Sequence, residues 1–251
     1  MSIQLVESHE EKKRHSERQF ERAASSKRPD ETAPAEINAA VVEFAESLGS
    51  SKPISVTVIQ DPCGLYGWSA DGVLEKIRHD GGSIEFGWVL WEWPTVLLTA
   101  EFHAVWKDPT GALLDITPKP GGESHIVFVP DKAYPPGFDF ANRPRNQRWS
   151  LYGAGDEARR VAIQMERMSA SQLAYETKRA AKAGKSLREL ILARLPKDSL
   201  PDLIDRFTIA SEHRERAFDA MPRGAPPSAE FSRHAAEADR LMKAIAVAVA
   251  G

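Results

Sequence analysis

Cys63, His103 and Asp115 are the residues of this 251-residue chain whose types and order suit acyl chemistry. Cys63 is the only cysteine, and it follows Pro62 where a strand-like run gives way to a helix-like one. His103 lies within Ala100-Glu101-Phe102-His103-Ala104-Val105-Trp106, and Asp115 within Ala112-Leu113-Leu114-Asp115-Ile116-Thr117-Pro118. Together they supply a nucleophile, a base to activate it and a carboxylate to orient the base. The expected placement is Cys63 at a helix start, with His103 and Asp115 on two consecutive strands.

Strand alternation and one turn argue that the last two residues meet. Positions 97, 99, 101, 103 and 105 share a face if this run is a strand. Asp108-Pro109-Thr110-Gly111 has the chemistry of a type I turn closed by a left-handed glycine. Asp108 then pairs with Ala112, which sets His103 opposite Thr117 and Val105 opposite Asp115. His103 and Asp115 become diagonal neighbours on one face, about 7–8 Å apart along the backbone. Asp115 could fix the tautomer of His103, and His103 could in turn draw the Cys63 thiol toward thiolate. A helix beginning near Cys63 would add free backbone N–H groups, useful to a thiolate and to an oxyanion.

Gln60, three residues before the cysteine, is a candidate side-chain donor to that oxyanion. Trp68, Trp88 and Glu101 are candidates for the substrate cleft, Glu101 because it shares the His103 face. Plainer roles stand beside these. A lone cysteine serves as a small core residue, a strand histidine packs, Asp115 caps a strand end through Thr117, and Glu101 is a cross-strand partner. Cys63, His79, His103 and His125 offer no pair at short metal-ligand spacing, so neither a metal nor a cofactor is expected.

Several elements must position these side chains. Residues 1–34 read as a charged arm, a solvated helix or a flexible segment, whose seven acidic and seven basic residues from Glu7 to Glu31 cancel. A helix is expected over 35–48, with Ile37, Val41, Val42, Phe44, Ala45 and Leu48 on one face and Gly49 as its stop. Strands are expected over 54–59, 83–93, 96–107, 111–117 and 124–129. Between the first two, Val73, Leu74 and Ile77 mark the helix that follows Cys63, its early part weakened by Gly64, Gly67 and Gly72. A Pro- and aromatic-rich loop at 134–149 closes this part. All six tryptophans lie between 68 and 149, after which the sequence turns Ala-, Glu-, Arg- and Leu-rich. Helices are expected there at 155–182, 186–195, 199–219 and 227–249.

The fold class expected is therefore α+β, a helix carrying Cys63 packed on an antiparallel sheet over 35–152, followed by a helical region over 153–251. Apolar residues make up 42% of the chain, an ordinary globular composition. A net charge of −3 gives no nucleic-acid signature. No apolar run is long enough to span a membrane, and the charged start reads as no secretory signal. A single cysteine fits a reducing, cytoplasmic location.

Cys63 at a helix start, His103 on one strand and Asp115 on the next resemble the papain-like superfamily in its transglutaminase-like form. Glu101-Phe102-His103-Ala104-Val105-Trp106 with Leu114-Asp115-Ile116-Thr117-Pro118 is also similar to bacterial proteins of that type. The resemblance covers about residues 35–130. It implies that Cys63 attacks a carbonyl, His103 serves as base and acid, and Asp115 orients it. Gly64 stands where transglutaminases usually carry a tryptophan, so the likeness is to a fold and a triad, not to a substrate. Peptides, proteins and small amides or esters all fit, through hydrolysis, deamidation or acyl transfer by way of a thioester. The alternative function is a non-catalytic interaction protein, with the α+β domain as scaffold and the C-terminal helices binding a protein partner.

Overall fold

The computed structural model describes residues 9–25, 31–49, 51–152, 158, 161–162, 164–194, 200–221 and 226–250. The chain divides into two compact units, Met1–Trp149 and Ser150–Gly251. The break falls three residues before the boundary that composition suggests.

The first unit is α+β. Helices α1 (His9–Ser25), α2 (Ala39–Leu48) and α3 (Ser69–Asp80) accompany strands β1 (Ile54–Val58), β2 (Ser83–Trp93), β3 (Leu97–Lys107), β4 (Leu113–Asp115), β5 (His125–Pro130) and β6 (Gln147–Ser150). Helix α2 starts at Ala39 because the Asn38 carboxamide oxygen caps Val41 N at 3.1 Å.

Strands β2 and β3 form a long antiparallel hairpin, paired from Ser83–Lys107 to Trp93–Leu97. The Asp108 turn forms as its chemistry requires. Asp108 N donates to Ala112 O at 2.9 Å, Trp106 pairs with Leu114, and Gly111 adopts φ 94°. Strand order β2-β5-β1-β4-β3-β6, with β2 also paired to β3, closes five of the strands into a small barrel and leaves β6 outside it on β3.

The sheet is mixed rather than antiparallel, because β1 and β4 run parallel, with Thr57 beside Leu114 and Val58 beside Asp115. Hairpin signals specify only local antiparallel partners. The β1–β4 pair joins segments separated by α3 and the whole β2–β3 hairpin, so no local signal announces it. Strand β4 is also shorter than expected, since Asp115 turns its side chain back onto Thr117 N at 2.8 Å and Pro118 follows.

Val56, Val89, Val105, Ile126 and Phe128 pack together inside the barrel, with Val58, Trp91 and Leu113 against them. By pairing, Gly87 and His103 share the face of Val89 and Val105, and Asp115 shares the face of Val58. The opposite face of the hairpin carries Phe86, Trp88 and Phe102. Phe138 and Phe140 cover Phe86 and Phe102, and Tyr134 meets Phe102 at 4.5 Å.

The second unit is helical: α4 (Ala170–Lys182), α5 (Leu187–Leu192), α6 (Leu200–Asp219) and α7 (Ala229–Ala250). The long helix expected over 155–182 is interrupted at Met168 and Ser169. Ser169 and Gln172 form a capping box that begins α4 afresh, and Ser186 and Glu189 do the same for α5. Part of that span, 155–157, 159–160 and 163, lies outside the described residues. Helices α6 and α7 pack along each other, and Ile204, Phe207 and Ala210 of one and Ala238, Leu241 and Ile245 of the other are buried at helical spacing. No helix among the described residues is long and apolar enough to cross a membrane.

Gly64 lies tight against the residue that follows β4. A Cβ there would fall 2.0 Å from the Ile116 carbonyl oxygen. Gly64→Ala should therefore lower stability by at least about 2 kcal/mol, whereas Gly121→Ala, crowded only by the Glu123 side chain, should cost less. Urea unfolding of the two variants checks this.

Candidate functional site

Asp115 and His103 meet as the turn register requires. His103 Nε2 lies 3.2 Å from Asp115 Oδ1, and both side chains are buried, Asp115 completely. The same carboxylate accepts from Thr117 N, and Lys119 Nζ pairs with its Oδ2 at 2.6 Å. The Lys119 side chain is itself buried, its ammonium 5.7 Å from the centre of the Trp91 ring. Burial alone would lift the Asp115 carboxyl, but the charges and hydrogen bonds of His103 and Lys119 hold it well below the usual carboxylate range.

With Nε2 committed to Asp115, Nδ1 of His103 is left for a second partner. It has no hydrogen bond among the described residues. One ring nitrogen is thus anchored by a carboxylate while the other has no hydrogen bond among the described residues, an arrangement that a general base can use.

Cys63 is placed differently from the expectation. It sits in a turn over Pro62 and Cys63, and the helix begins six residues later at Ser69. Gly64 tight against Ile116 and Gly67 at φ 82° hold the intervening residues out of helical geometry. Cys63 is therefore not the first residue of α3, although its carbonyl packs against the first turn of that helix, where a Cβ on Gly72 would fall 2.6 Å from Cys63 O. Its own N–H donates to Asp61 Oδ1 at 2.9 Å, while Asp61 Oδ2 pairs with Lys76 at 2.6 Å. Burial pushes the half-buried thiol up, and so does the Asp61 carboxylate, against a weaker opposing pull from Lys76. Among the described residues no hydrogen bond joins Cys63 to His103.

The remaining candidates are scattered. Gln60 is exposed, and its side chain has no hydrogen bond among the described residues. Trp88 is buried on the hairpin face opposite His103, its Nε1 donating to Asp131 Oδ2 at 3.2 Å, so it belongs to the aromatic layer and not to a cleft beside His103. One residue of register decides this, since Gly87, not Trp88, pairs with His103. Trp68 stands at the N-cap of α3 and stacks with His15 of α1 at 6.3 Å. Glu101 does lie on the His103 face, where it is exposed and accepts from Trp91 Nε1 at 3.1 Å, the cross-strand role.

Two side chains at this place carry no sequence signal. Lys119 follows Asp115 by four residues beyond a proline, and nothing in that spacing announces burial. Ser69 opens α3, is buried, and accepts a hydrogen bond from Ala104 N at 3.3 Å, next to His103 in the chain. The position expected of Cys63, a helix start against the histidine strand, is occupied by Ser69.

The chain matches no protein-family model, no curated protein and no solved structure.

The depressed Asp115 pKa sets a pH window. The stability it contributes is present above the unfolded carboxyl pKa of about 3.9 and lost as pH falls through the lower folded value. Asp115→Asn should cost about 3–5 kcal/mol at pH 7, by leaving a buried lysine without its anion. The difference from wild type should narrow below about pH 4. Urea unfolding of both proteins between pH 7 and pH 2 measures it.

Proposed function

We propose that the protein is a hydrolase or acyltransferase acting on an amide or ester carbonyl, built on a papain-like or transglutaminase-like plan. His103 is the general base and Asp115 its orienter. The observation that carries this reading is the buried His103–Asp115 hydrogen bond, with Nδ1 of His103 making no hydrogen bond among the described residues. A carboxylate held ionised beside an imidazole fixes its tautomer and stabilises the imidazolium that forms during proton transfer.

Cys63 is the nucleophile of this reading. His103 takes the thiol proton, the sulfur attacks the carbonyl carbon, and the amine or alcohol departs with the proton returned by His103. Water or a second acceptor then cleaves the thioester. For this the turn around Cys63 must move its thiol from the Asp61 carboxylate to the imidazole. Substrates are peptides, proteins or small amides and esters.

A second reading gives the attack to Ser69. It is favoured by the hydrogen bond from Ala104 N, which leaves the Ser69 hydroxyl proton free for donation at a helix N-terminus. The intermediate is then an ordinary ester.

Probe labelling separates the readings. Wild-type protein is treated with iodoacetamide across pH 6–9 and with a fluorophosphonate, then assayed on ester, amide and peptide substrates. The thiol reading expects alkylation at Cys63 well below pH 8 that His103→Ala slows, and turnover lost by at least about a hundred-fold in Cys63→Ala. The serine reading expects fluorophosphonate on Ser69 and loss of turnover in Ser69→Ala but not in Cys63→Ala. Alkylation of Cys63 at an ordinary thiol rate, with no fluorophosphonate adduct and no turnover sensitive to His103→Ala, overturns both.

A further inference from the structure

Helix α1 lies across the segment that joins Cys63 to α3. Lys12 forms an ion pair with Asp71 in the first turn of α3, its side chain largely covered. The Ser16 hydroxyl, itself buried, accepts from Tyr66 N at 2.7 Å. His15 stacks with Trp68, and Phe20 meets Tyr66 edge-on at 6.0 Å. Gln19 closes over Gly67, where a Cβ would meet its Oε1 at 2.9 Å. Every residue from Tyr66 to Trp68, with Asp71 beyond, is thus touched from one side by α1.

The attachment is slight for a seventeen-residue helix. Ser16 is its only buried residue among those described, and Glu10, Glu11, Lys13, Arg14, Glu17, Arg18, Glu21 and Arg22 are exposed. A charged helix that buries so little of its surface is held at the low end of local stability. What it holds is the turn that carries Cys63 at one end and Ser69 at the other. That turn has no regular structure of its own: Gly64 against Ile116 fixes it near Cys63, and α1 fixes it from Tyr66 to Trp68.

We propose that α1 is a detachable strap that keeps the Cys63–Ser69 turn closed, and that its release frees the turn and exposes the Cys63 thiol. The ion pair is the weakest link, because Asp71 is partly exposed and salt screens it. As regulation of acyl chemistry the strap rests on the function proposed above; as a conformational device it stands without it.

The single cysteine is its own reporter. Alkylation of full-length protein by iodoacetamide, a neutral reagent, is timed at pH 8 in 0.05 M and 1 M NaCl. The variants are Lys12→Glu, Ser16→Ala and the charge swap Lys12→Glu with Asp71→Lys. Lys12→Glu and Ser16→Ala should each speed alkylation roughly five-fold, the factor expected for a contact worth about 1 kcal/mol. The swap should return the wild-type rate, which a general loosening of the fold would not do. In wild type the rate should rise with salt, and this arm decides the matter if a variant does not fold. A rate indifferent to salt and to the single substitutions, or raised as much in the swap as in Lys12→Glu, overturns the proposal. Strap variants that alkylate faster while no variant or wild type turns over any ester, amide or peptide leave the strap standing and remove the hydrolase.

Discussion

The Asp115 carboxylate is the point through which the barrel and the candidate site become one object. Its main chain pairs with β1, where Ile59 N donates to Asp115 O at 2.9 Å and Val58 lies alongside. Its side chain holds β3 through His103, its own following turn through Thr117 N, and the loop beyond through Lys119. An isolated carboxylate in such a place would cost several kcal/mol, so it needs at least one cation and a full set of donors. Those requirements recruit the imidazole and the ammonium, and the strands carrying Asp115, Val58 and His103 are fixed at one end of the barrel as a result. The Asp115–Lys119 ion pair is as much a part of the fold as Val89 and Phe128 are.

Local chemistry made much of this readable. Asp108-Pro109-Thr110-Gly111 admits few turn geometries, and strand period two carries the consequence along to His103 and Asp115. Asn38, Ser169 and Ser186 mark helix starts by their capping side chains, although the starts at Ala39 and Ala170 fall within longer stretches of helical pattern. Illegible features were those decided by distant partners. Parallel β1–β4 pairing has no turn to announce it. The start of α3 depends on Gly64 fitting beneath Ile116 and on Tyr66 N finding Ser16, two contacts between segments remote in sequence. Helical pattern around Val73 and Leu74 could locate the helix but not its first residue.

The same distinction explains the N-terminal helix. Its composition reads as solvent-facing, and most of its side chains are exposed. Ser16 and Lys12 are ordinary surface types, and only the presence of Tyr66 and Asp71 gives them partners. A sequence pattern reports faces that are apolar; a face that docks through polar groups leaves no period to find. Lys119 was hidden for that reason too.

The parallel β1–β4 pair has a bearing on how the chain reaches its native state. The β2–β3 hairpin and the Asp108 turn can assemble from neighbouring residues, but the barrel closes only when β1 finds β4 across the intervening helix and hairpin. Until that closure the Asp115 carboxylate remains in water, and its bonds to His103 and Lys119 gain little over hydration. The burial that gives the polar cluster its worth therefore comes with that closure. A ribosome-bound chain that has not yet released β4 carries His103 without its carboxylate, and chemistry that depends on the pair cannot begin on an unfinished protein.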